Sequence, residues 1–567
     1  MKFYQNIRNI LNVNEIFAFL LISVGLIFAS IIELFGISLI IPIVYTSISD
    51  SFYLEFVNYL SNYNIIFSTK EDFLIFTLII FASLFIIKNI LLAFFYWHEG
   101  KFIYTVAENI SSKIFKQFLY KDYGKHLKEN SAELPAKINI ELNYIKNFFN
   151  ALLIFISEIA IFVGLIVGLI FFAPESVLKI LPIFIISFYL FYNFFNKFIK
   201  KMGEDRKKND YLKTKKIHES IGGIIEIITF QKEKYFADIY DKYVEKLIKV
   251  FYKFHFLLKL PKIYFETLTI IAISFFSIII LSDLKNEESF IAILTVFVAI
   301  SLRLLPSLNR IINSINTLKY SYPAAISIGK VLKSNQKPIR PRKEYKSFKN
   351  IKFSNIFFKF PKNNYKIQFN LKIKAGEKIG ILGESGSGKT TLINLLLGLY
   401  KQNSGEIYLN EKLINNTDIK NLISYVPQSV YIFEGTILEN ITFGEYSKPK
   451  DALLLKKSLK NSCCSNFIKR LPKKIFNKVG EAGSKLSQGQ RQRIGIARAL
   501  YNDLPILVLD EITSSLDNNN SNKIVSQILE IKDKTVIFST HKPELLKNFD
   551  TIIRIRKGNI FFEKKLK

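Results

Sequence analysis

Three short runs in the second half of the chain carry residue types and spacings suited to phosphate chemistry. Gly383-Glu384-Ser385-Gly386-Ser387-Gly388-Lys389-Thr390 is a G-x-x-x-x-G-K-[ST] loop. Its glycines let backbone N–H groups close on phosphate oxygens, its lysine suits the β- and γ-phosphates, and its threonine hydroxyl suits Mg²⁺. Thr391 follows directly. A second run, Leu486-Ser487-Gln488-Gly489-Gln490, precedes Arg491-Gln492-Arg493. The third, Ile506-Leu507-Val508-Leu509-Asp510-Glu511, reads as a buried strand ending in two carboxylates. There Asp510 would orient Mg²⁺ through water, and Glu511 would be the base that polarises an attacking water. Phosphoryl transfer asks a protein mainly for this positioning and for neutralisation of developing charge. The loop alone leaves ATPases and GTPases open.

The order of the three runs resembles ATP-binding-cassette (ABC) proteins, and the resemblance implies ATP and Mg²⁺ as cofactors. By that resemblance Gln428, in Tyr425-Val426-Pro427-Gln428, is similar to the glutamine that reads γ-phosphate and Mg²⁺, completing a metal set of Thr390, Gln428 and Asp510. Ser515-Leu516-Asp517 looks like the D-loop, and His541, just past the strand at Thr535 to Ser539, looks like the histidine that contacts γ-phosphate. Phe360 stands where an aromatic ring usually stacks on adenine, with Phe353, Phe357, Phe358 and Tyr365 nearby. In this family Ser487, Gly489 and Gln490 close on the nucleotide of a second motor, so the resemblance implies a homodimer. Two departures stand out: Gln488 replaces the first glycine of the signature, and Ile512 and Ser515 replace alanines around the D-loop. Because Ser487 and Gly489 are kept, the site is expected to be active.

The elements that must position these residues follow from composition. The chain has 567 residues, 49% of them hydrophobic, and a formal net charge of +31. Six apolar segments are each long enough to cross about 30 Å of hydrocarbon. They run from Ile16 to Tyr45, Phe73 to Trp97, Tyr144 to Ala173, Ser176 to Phe198, Ile263 to Leu284 and Ser289 to Leu318. The expected fold is thus an α-helical transmembrane domain of six spans fused to an α/β P-loop ATPase domain. Its divisions are 1–330 for the membrane domain, 331–350 for a linker rich in basic residues with Pro338 and Pro341, and 351–567 for the motor. Lysines crowd the connections after the second and fourth spans, so the positive-inside rule puts both termini and the motor in the cytosol. The same distribution makes anionic lipid, rather than nucleic acid, the partner of the positive charge. Cys463 and Cys464, the only cysteines, give no disulfide framework or metal-ligand spacing. The first apolar segment far exceeds a signal-peptide core and is expected to remain as a membrane helix.

The two long basic connections, about residues 98–143 and 199–262, have helical periodicity. Short helices touching the ATPase are expected near Tyr120 to Ala136 and Ser220 to Phe230, with plain basic juxtamembrane helices as the alternative. Tyr53, Phe56, Val57 and Leu60 form an i, i+3, i+4, i+7 stripe, either an interfacial helix on the outer face or a packing surface.

Ionisable residues inside spans are costly and point to function. Lys88 and Arg303 each stand about fifteen residues from the outer ends of their spans, roughly 22 Å deep. Arg310 shares a helix face with Arg303, and Lys262 stands at the cytosolic entrance of the fifth span. Snorkelling of Lys262 and Arg310, or a Lys262–Glu266 pair at i+4, is the alternative. Glu33-Leu34-Phe35-Gly36-Ile37-Ser38, Pro261-Lys262-Ile263-Tyr264-Phe265-Glu266 and Arg303-Leu304-Leu305-Pro306-Ser307-Leu308-Asn309-Arg310-Ile311-Ile312 resemble the bacterial lipid-linked oligosaccharide flippase family of protein N-glycosylation. The resemblance implies a bacterial inner-membrane protein. It would use Lys88, Lys262, Arg303 and Arg310 to bind the pyrophosphate of a polyprenyl-diphosphate glycan and flip it to the periplasmic leaflet. Two of these four, Lys88 and Lys262, are lysines where that family has arginines. Competing functions are export of another lipid, a peptide or a drug, and an ATP-switched regulator that transports nothing. A cationic cavity argues against lipophilic cations, and an intact Glu511 and His541 argue against the regulator.

Overall fold

The computed structural model describes residues 8, 10–48, 53–54, 56–58, 67, 69–127, 133–172, 174–283, 287–333, 348–360, 366–384, 386–444, 451–513, 518–556 and 559–564. Leu60, Tyr365, Ser385, Ser515 to Asp517 and linker residues 334–347 lie outside them. The chain forms two compact units, residues 1–121 with 128–338, and residues 122–127 with 339–567.

The first unit is all helix: α1 (Val13–Ser38), α2 (Ile40–Ile48), α3 (Lys70–Leu119), α5 (Leu142–Phe172), α6 (Pro174–Gly222), α7 (Ile224–Thr229), α8 (Glu233–Asp283) and α9 (Glu287–Lys333), while α4 (Tyr123–His126) belongs to the second unit. Six long helical segments therefore correspond to the six apolar segments. The first expected span is not one helix, however. It breaks at Leu39, three residues before Pro42, whose ring removes an amide donor and crowds the preceding turn. At 50 residues, α3 is about 75 Å long, more than twice the hydrocarbon thickness, so its basic C-terminal half continues past the membrane as helix. A Thr69–Asp72 capping box starts it. Gly222 and Gly223 end α6, and short helices stand at 123–126 and 224–229, within the two stretches where they were expected.

Phe102, Ile110, Ile114, Ile145, Phe148, Phe149, Ala325 and Ile328 form the largest apolar cluster of this unit. Below the fourth span, Gly203 lets α6 approach α9 so closely that a Cβ there would lie 2.6 Å from the Tyr320 carbonyl oxygen. One turn on, Arg206 is fully buried. Its Nη1 lies 3.2 Å from Glu141 Oε1 and 3.8 Å from Asp210 Oδ2, and its guanidinium sits 3.4 Å from the Tyr144 ring centroid. The Tyr320 ring stacks on Phe254 at 3.8 Å, so one arginine ties α5, α6, α8 and α9 together.

In the second unit, a four-stranded antiparallel sheet (order β2-β1-β4-β5) accompanies a six-stranded sheet (order β10-β9-β3-β8-β7-β6). The strands are β1 (Asn350–Lys359), β2 (Lys366–Lys374), β3 (Lys378–Gly383), β4 (Ser404–Leu409), β5 (Lys412–Leu413), β6 (Ile423–Val426), β7 (Ile506–Asp510), β8 (Thr535–Thr540), β9 (Thr551–Arg556) and β10 (Asn559–Lys564). β9, β3, β8, β7 and β6 run parallel, and every residue of β7 and β8 is buried, as sheets covered on both faces require. Helix α10 (Lys389–Leu396) follows β3, and α11 (Ile437–Thr442), α12 (Ala452–Asn461) and α13 (Gln488–Tyr501) build a smaller helical core. Cys464 is buried there, and burial pushes its thiol up to about 12.

Removing one partner of a buried ion pair costs ~3–5 kcal/mol, whereas an exposed pair is worth about 1 kcal/mol or less. Arg206→Ala is therefore expected to lower the unfolding temperature of the purified protein in detergent. Lys249→Ala, at the exposed Glu245–Lys249 pair, should leave it nearly unchanged. Equal shifts would remove the clasp from the account.

Candidate functional site

The phosphate-binding candidates meet at the carboxyl ends of strands in the six-stranded sheet. The neighbours β3, β8, β7 and β6 end, in that order, in the Gly383 loop, His541, the Asp510–Glu511 pair and the segment carrying Gln428. Their registers align Leu382 with Thr540, Ser539 with Asp510, and Leu509 with Val426. Residues far apart in sequence thus share the crevice beyond the carboxyl ends of parallel strands, the usual ligand position of an open α/β sheet.

Local geometry explains the glycines. A Cβ at Gly383 would lie 2.6 Å from Ser387 Oγ and 2.9 Å from the Ile555 carbonyl oxygen, filling the cradle. Gly388 caps α10 at φ +111°, a backbone conformation open to glycine and strained for other residues. The α10 N-terminus that follows presents unpaired amides and the positive end of its dipole to an anion.

Lys389 Nζ donates to the carbonyls of Gly383 (2.6 Å) and Glu384 (3.2 Å) and lies 3.0 Å from Glu511 Oε1. Gln428 Nε2 donates to Glu511 Oε2 at 3.1 Å. Three predicted residues therefore meet at one carboxylate. Glu511 is held at φ +49°, a left-handed conformation uncommon for glutamate, and its amide donates to Ser539 O at 3.1 Å. Asp510 is buried at the strand end, and burial raises its carboxyl above the usual carboxylate range. The charge of Glu511 adds to the rise, and the charge of Lys389 and the nearby Ser539 and Tyr425 hydroxyls offset part of it. Ser539, paired with Asp510 by strand register, and Tyr425 were not foreseen as its neighbours.

The remaining candidates fall into place more loosely. Thr390 and His541 are exposed, and Thr391 is half-buried. Phe353 and Phe358 belong to the apolar core, whereas Phe360 is half-exposed and packs edge-on to Phe358 (4.9 Å) and Tyr400 (5.7 Å). Ser487 caps α13: the Gln490 amide donates to Ser487 Oγ (3.3 Å), and the Ser487 amide donates to Gln490 Oε1 (2.9 Å). The Gln490 side chain is thereby occupied in the capping box. Gln488 is exposed in the first turn, which explains how glutamine is accommodated in place of glycine. Among the described residues, no hydrogen bond or ion pair joins Ser487, Gly489 or Gln490 to the Gly383–Lys389 loop of this chain.

A second site lies among the membrane helices. Arg303 Nε donates to Glu33 Oε1 at 2.6 Å, and Lys88 Nζ lies 3.7 Å from the same oxygen. Arg303 Nη1 is 4.0 Å from Glu158 Oε2, and Arg310 Nε is 3.0 Å from Glu158 Oε1. Lys88, Glu33, Arg303, Glu158 and Arg310 thus form one line of alternating charge. Neither carboxylate was anticipated as a partner; the available signal was that ionised groups inside membrane helices usually pair with one another. Lys262 is not in the line: it is exposed on α8 and makes no ion pair among the described residues.

Arg310 and Glu158 also border a cavity of about 700 Å³. Asn143, Asn147, Asn150 and Ser157 line it from one face of α5, with Tyr96, Glu99, Tyr104 and Lys146 around them. Amides and hydroxyls on a membrane helix need water, protein or ligand as partners, because lipid supplies none.

The two units define an ABC transporter chain. Its residues 16–301 match the ABC transporter transmembrane region family and residues 367–514 match the ABC transporter family, so the chain belongs to the ABC transporters. The chain carries one such membrane region and one such motor. It is 28% identical over 473 residues to the ATP-dependent lipid A-core flippase of Saccharophagus degradans, covering 80% of this chain and 78% of that one. It is 41% identical over 217 residues to an export ATP-binding/permease protein of Rickettsia bellii, a match that spans only 37% of either chain. A 36% identical match to the lactococcin-G-processing and transport ATP-binding protein LagD of Lactococcus lactis spans 37% of this chain and 30% of that one. The fold is similar to that of a bacterial Atm1-family ABC exporter with ATP bound, at a TM-score of 0.78 and 18% identity over 96% of this chain and 94% of the other.

Burial makes the ionised Asp510 carboxylate a cost to the folded state. Because its folded-state value is raised, the stability due to its protonation is present at low pH and is lost as pH rises through the raised value. Asp510→Asn is expected to unfold at a higher temperature than the parent at neutral pH, with the difference shrinking on acidification. A difference independent of pH would contradict the burial argument.

Proposed function

We propose that this chain is an ATP-driven flippase that works as a homodimer and moves a polyprenyl-diphosphate-linked oligosaccharide from the cytoplasmic to the periplasmic leaflet of a bacterial inner membrane, with both termini and the motor cytosolic. The observation that carries the cargo is the line of three cations and two carboxylates at membrane depth, opening at Arg310 onto the polar cavity. Its formal charge is positive by one, which favours an anion over a cation or an apolar drug. Diphosphate oxygens match the planar donor fork of arginine, and the asparagines beside it match the hydroxyls of a glycan. The relative aligned over most of this chain is named as a lipid A-core flippase, which supports a lipid cargo. The relative named for lactococcin-G transport aligns over a much smaller share and weighs less.

In the motor, the loop amides and Lys389 would bind the β- and γ-phosphates, and Phe360 would stack on adenine. The donor set fits Mg²⁺: the Thr390 hydroxyl, the Gln428 amide oxygen and the Asp510 carboxylate are hard oxygen ligands around a cradle that only glycine leaves open. When bound, that ion would neutralise charge on the phosphates. Glu511 would accept the proton of the attacking water, with its carboxylate aligned by Gln428, and His541 would hold the γ-phosphate. Ser487 and Gly489 of one copy would close on the nucleotide of the other, so a dimer would complete each site.

Glu511→Gln keeps shape and packing but removes the base. It is expected to retain ATP binding while hydrolysis falls by about a hundredfold to ten-thousandfold, as measured by nucleotide binding and phosphate release in the purified protein. Near-parental turnover would displace Glu511 from this role. For the cargo, Arg303→Ala combined with Arg310→Ala is expected to reduce translocation of a labelled polyprenyl-diphosphate glycan in proteoliposomes by at least about tenfold. ATP hydrolysis should fall far less. Undiminished translocation would return both arginines to a structural role.

A further inference from the structure

Glu33 and Glu158 enter the reading above only through the net charge of the line, yet both are buried and each holds an arginine through its Nε. Attachment at Nε leaves the two terminal nitrogens of a guanidinium for another acceptor. Among the described residues, Arg303 Nη1 makes only the long 4.0 Å approach to Glu158 Oε2, and that oxygen is itself buried without a hydrogen bond. Arg310 is the exposed end of the line, with its side chain 47% accessible, and it borders the cavity. Without the carboxylates three cations would face an incoming anion; with them the net charge is one.

We infer that Glu33 and Glu158 are release-setting positioning residues: they aim the arginines through Nε and cancel enough positive charge to keep an anionic cargo from binding too tightly to leave. The inference rests on the cargo proposed above. A pathway conducts only when its site is favourable enough to enter and weak enough to empty. In a low-dielectric site, each cancelled charge has a large effect on affinity for a diphosphate. Orientation and charge are separable, because glutamine keeps an acceptor oxygen for Nε and lacks the charge, whereas alanine lacks both.

The test compares parent, Glu33→Gln, Glu158→Gln and Glu158→Ala chains in proteoliposomes. A short polyprenyl diphosphate carrying one N-acetylated sugar serves as probe, with ATP-dependent translocation followed against its concentration. Each glutamine variant is expected to lower the half-saturating concentration about tenfold and to lower the maximal rate with it. Glu158→Ala is expected to raise the half-saturating concentration. Unfolding temperatures identify any variant that fails to fold, and a folded glutamine variant at the other position then decides the outcome. Glutamine variants that bind more weakly, or that match the parent in both parameters, would overturn the inference while the cargo stands. A parent chain that does not move this probe would overturn the cargo and the inference together.

Discussion

Ionised groups are expensive in hydrocarbon, and that cost organises the membrane unit. Lys88, Arg303 and Arg310 are retained among apolar helices because Glu33 and Glu158 are brought to them from α1 and α5. The pairing requires α1, α3, α5 and α9 to keep fixed rotations about their axes, since turning any one would strand a charge. The close approach of Gly203 to Tyr320 and the Arg206 clasp below the membrane hold some of the same helices in register. The proposed specificity for an anion and the packing of the bundle therefore rest on the same contacts.

A comparable economy of position governs the motor. Four parallel strands deliver the glycine loop, the histidine, the carboxylate pair and the glutamine to their common carboxyl ends, so strand register sets the geometry of the candidate site. Strain is concentrated there: Glu511 occupies a left-handed conformation and Asp510 is an acid buried against its preference. Both are features that stability alone would not select.

Much of this was legible in the sequence where the signal is local. The P-loop spacing, the strand ending in Asp510 and Glu511, and the six apolar segments are properties of short windows, and each reappears in the structure. Long-range partners were not legible. Arg303 and Glu33 are 270 residues apart, and nothing in the pattern around Glu33 announces which cation it will meet. Arg206 was hidden within a lysine-rich stretch whose other members are mostly solvated, although it is the one that is fully buried. The break at Leu39 carried a local signal in Pro42, but the unbroken hydropathy of the segment concealed it. Lys262, grouped with the other basic residues by its place at the span entrance and by family resemblance, takes no part in the line they form.

The central claim is that this transporter selects cargo by the anionic group at the head of a lipid. It is tested most directly with the unmodified chain in proteoliposomes, offered two labelled glycolipids with the same sugar and tail, one joined by a diphosphate and one by an uncharged linkage. ATP-dependent translocation of the diphosphate lipid, with the uncharged lipid left behind, is the predicted result. Equal translocation of both, or preference for the uncharged lipid, would contradict it.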